Sequence, residues 1–178
     1  MVVKKRKIKT FSDFVFNKIC ELPTTITNEE EQLFNSLSLE DTVPILQSLM
    51  DESKYGVAIS SRAFDALLKL KHFDQVAYLI DLYKNQPEKW KWIVAERLSK
   101  FDEPRTRKML CEIAMTDEDA DARYNAVHSL YQIGGEESIP TLEHIQLHDD
   151  GVDYEDNKIA NLAKKALTRI NSKKSNDT

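Results

Sequence analysis

The sequence predicts an all-α protein: a right-handed α-solenoid of about ten helices, paired as antiparallel hairpins behind an N-terminal capping helix. Three observations predict it. Apolar residues recur at helical steps, as in Ala126, Leu130 and Ile133, then Ile139, Leu142 and Ile145 after Gly134-Gly135. Gly and Pro number only four and five in 178 residues, so few turns interrupt long charged-apolar stretches. The hairpin itself also recurs. Ala126 has equivalents at Ala63, Val94 and Ala163, with intervals of 31, 32 and 37 residues.

Composition sets the class. Apolar residues are 41% and charged residues 31%, as in a globular domain, and no apolar run approaches membrane-span length. Lys4, Lys5, Arg6, Lys7 and Lys9 make residues 1–10 a basic tail. Asp13, Asn17, Lys18 and Glu21 interrupt any apolar stretch behind it, so no secretory signal is expected. Cys20 and Cys111 are expected to be reduced, in a cytoplasmic protein.

In chain order, Ser12 is the expected cap of a short helix ending near Leu22, with Phe11, Phe14, Val15, Ile19 and Leu22 on one stripe. A solenoid needs such a lid because its terminal repeat exposes an apolar face. Residues 11–171 are expected to form one repeat domain. The cap and linker take 11–27, the repeats 28–53, 54–86, 87–117 and 118–153, and a half-repeat 154–171. A polar tail follows at 172–178.

First helices are expected at 28–37, 54–71, 87–101, 119–134 and 154–170, second helices at 41–50, 74–85, 104–115 and 136–148. First helices continue Leu67, Leu98, Leu130, Leu167, then Leu70, Phe101, Ile133, Ile170. Second helices carry Leu46, Leu79, Leu110, Leu142, then Leu49, Leu82, Ile113, Ile145. Their opening position reads Val43, Val76, Arg107 and Ile139, with Arg107 the departure. Pro44 and Pro140 suit a first turn, where the missing N–H costs little. Asn28 with Glu31, Asp74 and Asp119 are the expected N-caps.

The fourth unit, Asp119-Ala-Asp-Ala-Arg-Tyr-Asn-Ala126, Leu130, Ile133-Gly134, then Ile139-Pro-Thr-Leu142, resembles the HEAT-like repeat of the phycobilin lyases. Ser61-Arg62-Ala63 and Trp92-Ile93-Val94 resemble it in part. The resemblance implies stacked hairpins whose second helices line a concave binding side. Residues off the core positions there include Tyr78, Asp81, Lys108, Glu112, Thr141, Glu143 and His144. It implies no particular activity, since such units serve adaptors, lyases and glycosylases.

Charge is the sharpest functional clue. Residues 117–156 hold twelve acids against Arg123 alone, a net charge of −11, while 157–178 carry +5. A segment this acidic attracts a basic partner. Glu136, Glu137, Glu143, His144, Asp149, Asp150 and Asp153 join Tyr78, Asp81, Lys108 and Glu112 as expected partner contacts. The stretch 149–156 lacks the alternating pattern of a calcium loop and is an insertion, which explains the interval of 37.

His144 and His148 share a helix face, but no spacing forces a third ligand and the zinc-protease pattern is absent. No cofactor, metal or catalytic residue is therefore expected. Trp90, Trp92 and Asp102 fit loosely the aromatic and acidic groups of HEAT-like DNA glycosylases, against a net charge of −5. The leading expectation is a monomeric, non-enzymatic module that binds another protein. An immunity-type inhibitor of a basic toxin such as a nuclease comes second, and a HEAT-like glycosylase or lyase third.

Overall fold

The computed structural model describes residues 7–21, 26–85 and 91–176, with side chains through 173. Among these residues it is all-α, with eleven helices. Residues 1–6, Leu22 and the helix start at Pro87, with Trp90, lie outside the described residues. The chain divides into two compact units, 1–75 and 76–178.

In the first unit, α1 (Phe11–Glu21) packs on α3 (Leu39–Leu49) and α5 (Val57–Leu67), with Val15, Phe16 and Ile19 buried. It thus lies against the second helix of the first hairpin and the first helix of the next. Thr10 caps it rather than Ser12, because the Thr10 hydroxyl accepts from the Asp13 N–H while the Asp13 carboxylate accepts from the Thr10 N–H. The capping box of α2 (Asn28–Asn35) is likewise Thr27 with Glu30, one residue before the expected pair. The helix expected over 54–71 is broken into α4 (Glu52–Tyr55) and α5, since Gly56 takes φ +79° between them. The Ser60 hydroxyl donates to the Met50 carbonyl at 2.8 Å and ties α5 to the end of α3.

The second unit follows α6 (Gln75–Asn85) with α7 (Lys91–Leu98), α8 (Pro104–Thr116), α9 (Ala120–Ile133), α10 (Ile139–His148) and α11 (Ile159–Asn176). α9 packs between α7 and α11, and α8 lies beside α10, so first and second helices form separate layers. The repeat positions fill the space within and between the hairpins. Val94, Ala126 and Ala163 are fully buried, as are Leu79, Leu98, Leu110, Leu130 and Leu142. Alanine at the first position lets neighbouring helices approach, and leucine supplies the volume.

Four expectations change here. Glu136–Ser138 form a 3-10 turn ahead of α10, which starts at Ile139. α11 starts at Ile159 rather than Tyr154 and continues through Asn176, so residues 172–176 are helical and not a loose tail. Gly134 ends α9 with φ −61°, an ordinary backbone angle. A side chain there would meet the Leu130 carbonyl and the Ile170 side chain, so close packing demands the glycine. Arg107 departs from the apolar pattern because the preceding residue takes the buried place: Thr106, like Thr42 and Ser138 before Val43 and Ile139, is fully buried.

Leu130→Ala is expected to destabilise the protein by about 2–5 kcal/mol, because the site is enclosed by three helices and cannot collapse. Urea unfolding followed by circular dichroism measures it; a loss under about 1 kcal/mol would contradict the packing.

Candidate functional site

The expected contacts fall on two helix faces, one turn and one loop. Lys108, Glu112 and Met115 form an exposed stripe on α8, and Glu143, His144, Leu147 and His148 are exposed on the adjacent α10. The stripes border a cleft of about 300 Å³, walled by Met115, Thr116, His144, Ile145 and His148, with Glu118 and Asp150 at its rim. On α6, Asp81 is exposed and accepts from the Asn85 amide at 2.7 Å. Tyr78 is half-buried, and burial, aided by the Asp81 charge, pushes its phenol up to about 12. It is a neutral hydrogen-bonding group at any ordinary pH.

The acidic segment is the surprise. Six of its twelve acids hold the fold together. Asp117 has a fully buried side chain that accepts from the Tyr83 hydroxyl, from Lys91 Nζ at 3.3 Å and from the Asp119 N–H at 2.9 Å. Burial and this hydrogen bond raise the Tyr83 phenol well above its usual range. Asp119 caps α9 by accepting from the Asp121 N–H. Glu137 pairs with Arg107, which also holds Asp102.

Arg123 binds Asp149 through Nε at 2.8 Å and Nη2 at 3.2 Å. Its Nη1 donates to the carbonyls of Asp117 and Glu118, at the end of α8. Asp149 further accepts from the Gly151 N–H at 2.8 Å.

The loop after α10 is built the same way. Asp153 is buried and accepts from the N–H of Glu155 at 3.0 Å, the N–H of Asn157 at 2.8 Å and the Asn157 side chain at 3.0 Å. Asp121 accepts from the Tyr154 N–H at 2.8 Å. Val152 and Lys158 form an antiparallel bridge, and Asp156 closes the turn at φ +65°. These bonds correct two expected contacts. Asp153 is buried, and both oxygens of half-buried Asp149 are engaged, because each carboxylate satisfies backbone N–H groups that a tight loop otherwise leaves bare. Asp150 keeps an exposed carboxylate, and so do Glu143 and Glu136. What the loop presents instead is Tyr154, 81% exposed, and Val152, 38% exposed.

This stacked-hairpin geometry has a counterpart among known families: residues 76–163 match the family model of HEAT repeats. The segment is a run of HEAT repeats. No curated protein and no solved structure matches the chain. The HEAT match covers α7 to α10 and both exposed stripes, while the likeness to phycobilin lyases in particular has no support beyond the residues that suggested it. Of the glycosylase-like trio, only Trp92 and Asp102 fall among the described residues. Trp92 is exposed on α7, Asp102 is tied to Arg107, and Trp90 lies outside the described residues.

Sequence reasoning missed Tyr154, Val152, Met115 and Leu147. The long repeat interval marked the loop, but Tyr154 was assigned to a helix, so its exposure was invisible.

The Asp149 carboxyl is the best probe of this network. Burial alone would push it up; the Arg123 hydrogen bonds, the Gly151 N–H and the guanidinium charge outweigh burial and hold it below the usual aspartate range. A carboxyl depressed in the folded state stabilises it above the unfolded value, about 3.9, and that contribution disappears as pH falls through the folded value. Urea unfolding between about pH 5 and pH 3 is expected to show a steeper loss for the wild type than for Asp149→Asn. Parallel curves would contradict the pairing.

Proposed function

We propose that the chain is a protein-interaction module whose contact surface is the α8–α10 face together with the tip of the 149–158 loop. HEAT repeats commonly carry protein interactions, which supports the class. The observation that carries the location is the loop: Asp121, Asp149 and Asp153 hold it in one conformation, and it presents an 81% exposed tyrosine. A contact ordered before binding loses little entropy on association. Tyrosine is also a frequent anchor of interfaces, with an apolar ring and a polar tip. Leu147, 73% exposed, and Met115 add apolar surface on the helices.

The partner's charge follows from the acids left exposed. Glu118 and Asp150 line the cleft, Glu143 is exposed on α10, and together they favour a basic protein. This extends to a second reading, an inhibitor that covers a basic toxin, because the same acidic rim would steer such a target and speed its capture. Neither reading requires chemistry at the surface.

Immobilised protein is expected to capture a partner from its native cell extract at low salt and to lose much of it at high salt. Tyr154→Ala should lower capture by about tenfold or more while the circular dichroism spectrum stays unchanged. Glu143→Lys should weaken it further. Equal capture by wild type and Tyr154→Ala would remove the loop from the interface, and indifference to salt would remove the basic partner.

A further inference from the structure

The α10 face carries a pair of histidines whose chemistry goes beyond protein contact. His144 and His148 sit one turn apart on the same exposed face, with ring centroids 4.6 Å apart and planes inclined at 45°. Both rings border the open cleft between the ends of α8 and α10. Two imidazoles one helical turn apart on one face can supply two nitrogen ligands to one ion. We propose that His144 and His148 form a two-imidazole chelate for a divalent transition cation such as Zn²⁺, Ni²⁺ or Cu²⁺.

Three observations support this chemistry. Imidazole is a borderline-soft ligand, which suits late transition metals and excludes Mg²⁺ and Ca²⁺, since both take oxygen ligands. α10 directs the negative end of its dipole toward its last turn, where His148 lies, and this favours a bound cation. Asp117, Glu118, Asp149 and Asp150 line the same cleft against Arg123 alone, so acids outnumber bases around it. Asp149 stays outside the set because Arg123 and Gly151 hold its oxygens.

Among the described residues no group of three His, Cys, Asp or Glu side chains converges on one metal position. The ion therefore keeps water in its remaining positions, and the site is an exchangeable surface chelate rather than a structural zinc site. Affinity is expected to follow the late transition series, tightest for Cu²⁺. A bound dication would place two positive charges between the acids of the α8–α10 face.

The test uses the full chain, without an affinity tag, and the metal chloride alone. Isothermal titration with Zn²⁺, Ni²⁺ and Cu²⁺ should show one saturable site, and Mg²⁺ should show none. His144→Ala and His148→Ala should each weaken binding by about tenfold or more, since each leaves a single ligand without chelation. Glu143→Gln, one residue away on the exposed surface, should bind as the wild type does. A second measurement needs no variant: substoichiometric Cu²⁺ should selectively broaden the ring proton signals of His144 and His148 in the folded protein. Absence of saturable binding would overturn the assignment. So would binding that survives either histidine variant, or broadening centred on His72 or His128.

Discussion

The Arg123 guanidinium is the constraint on which the second unit's surface depends. It extends from the first turn of α9 to the carbonyls of Asp117 and Glu118, just past α8, and to the carboxylate that follows α10. One side chain thereby fixes three helix ends against each other. Its planar fork of donors satisfies two carbonyls of the α8–α9 turn while binding Asp149 through two nitrogens. Nothing else of positive charge lies between residues 117 and 156, so no other side chain there can do this.

The acidic excess acquires a different meaning from this geometry. A net charge of −11 over forty residues is costly if every carboxylate repels its neighbours in solvent. The structure lowers that cost by using aspartates as backbone acceptors. Asp117, Asp119, Asp121, Asp149 and Asp153 all bond N–H groups of helix starts or loop turns. Aspartate suits this task because its short side chain reaches the N–H two residues on. The result is a loop tied by several backbone hydrogen bonds, with Tyr154 exposed and Glu118, Glu143 and Asp150 exposed on the same unit. Local folding chemistry and the proposed contact surface are thus the same set of bonds seen from two sides.

Much of the fold was legible in the sequence because burial in a repeat protein leaves a period. Ala126, Leu130, Leu142 and Ile145, with their equivalents, lie in the core where the spacing put them. The boundaries were less legible because they depend on single backbone angles and single caps, as at Gly56 and Thr27. Arg107 looked like an exception until Thr106 proved to occupy the buried place. In the surface, the identity of the acidic segment was readable, but its division of labour was not. Charge counts cannot distinguish Asp153, enclosed by its own loop, from Asp150, which is exposed. That distinction depends on how the loop turns back on itself, and the loop is further tied by the Asp121 bond to the Tyr154 N–H, 33 residues apart.

The central claim is that the acids build an ordered loop that presents Tyr154. Backbone ¹⁵N relaxation of residues 150–157 in the free protein tests it most directly. Order parameters near 0.85, about those of a rigid backbone, are the expected result. Values below about 0.6 across Val152 to Asn157 would describe a flexible acidic segment and contradict the account.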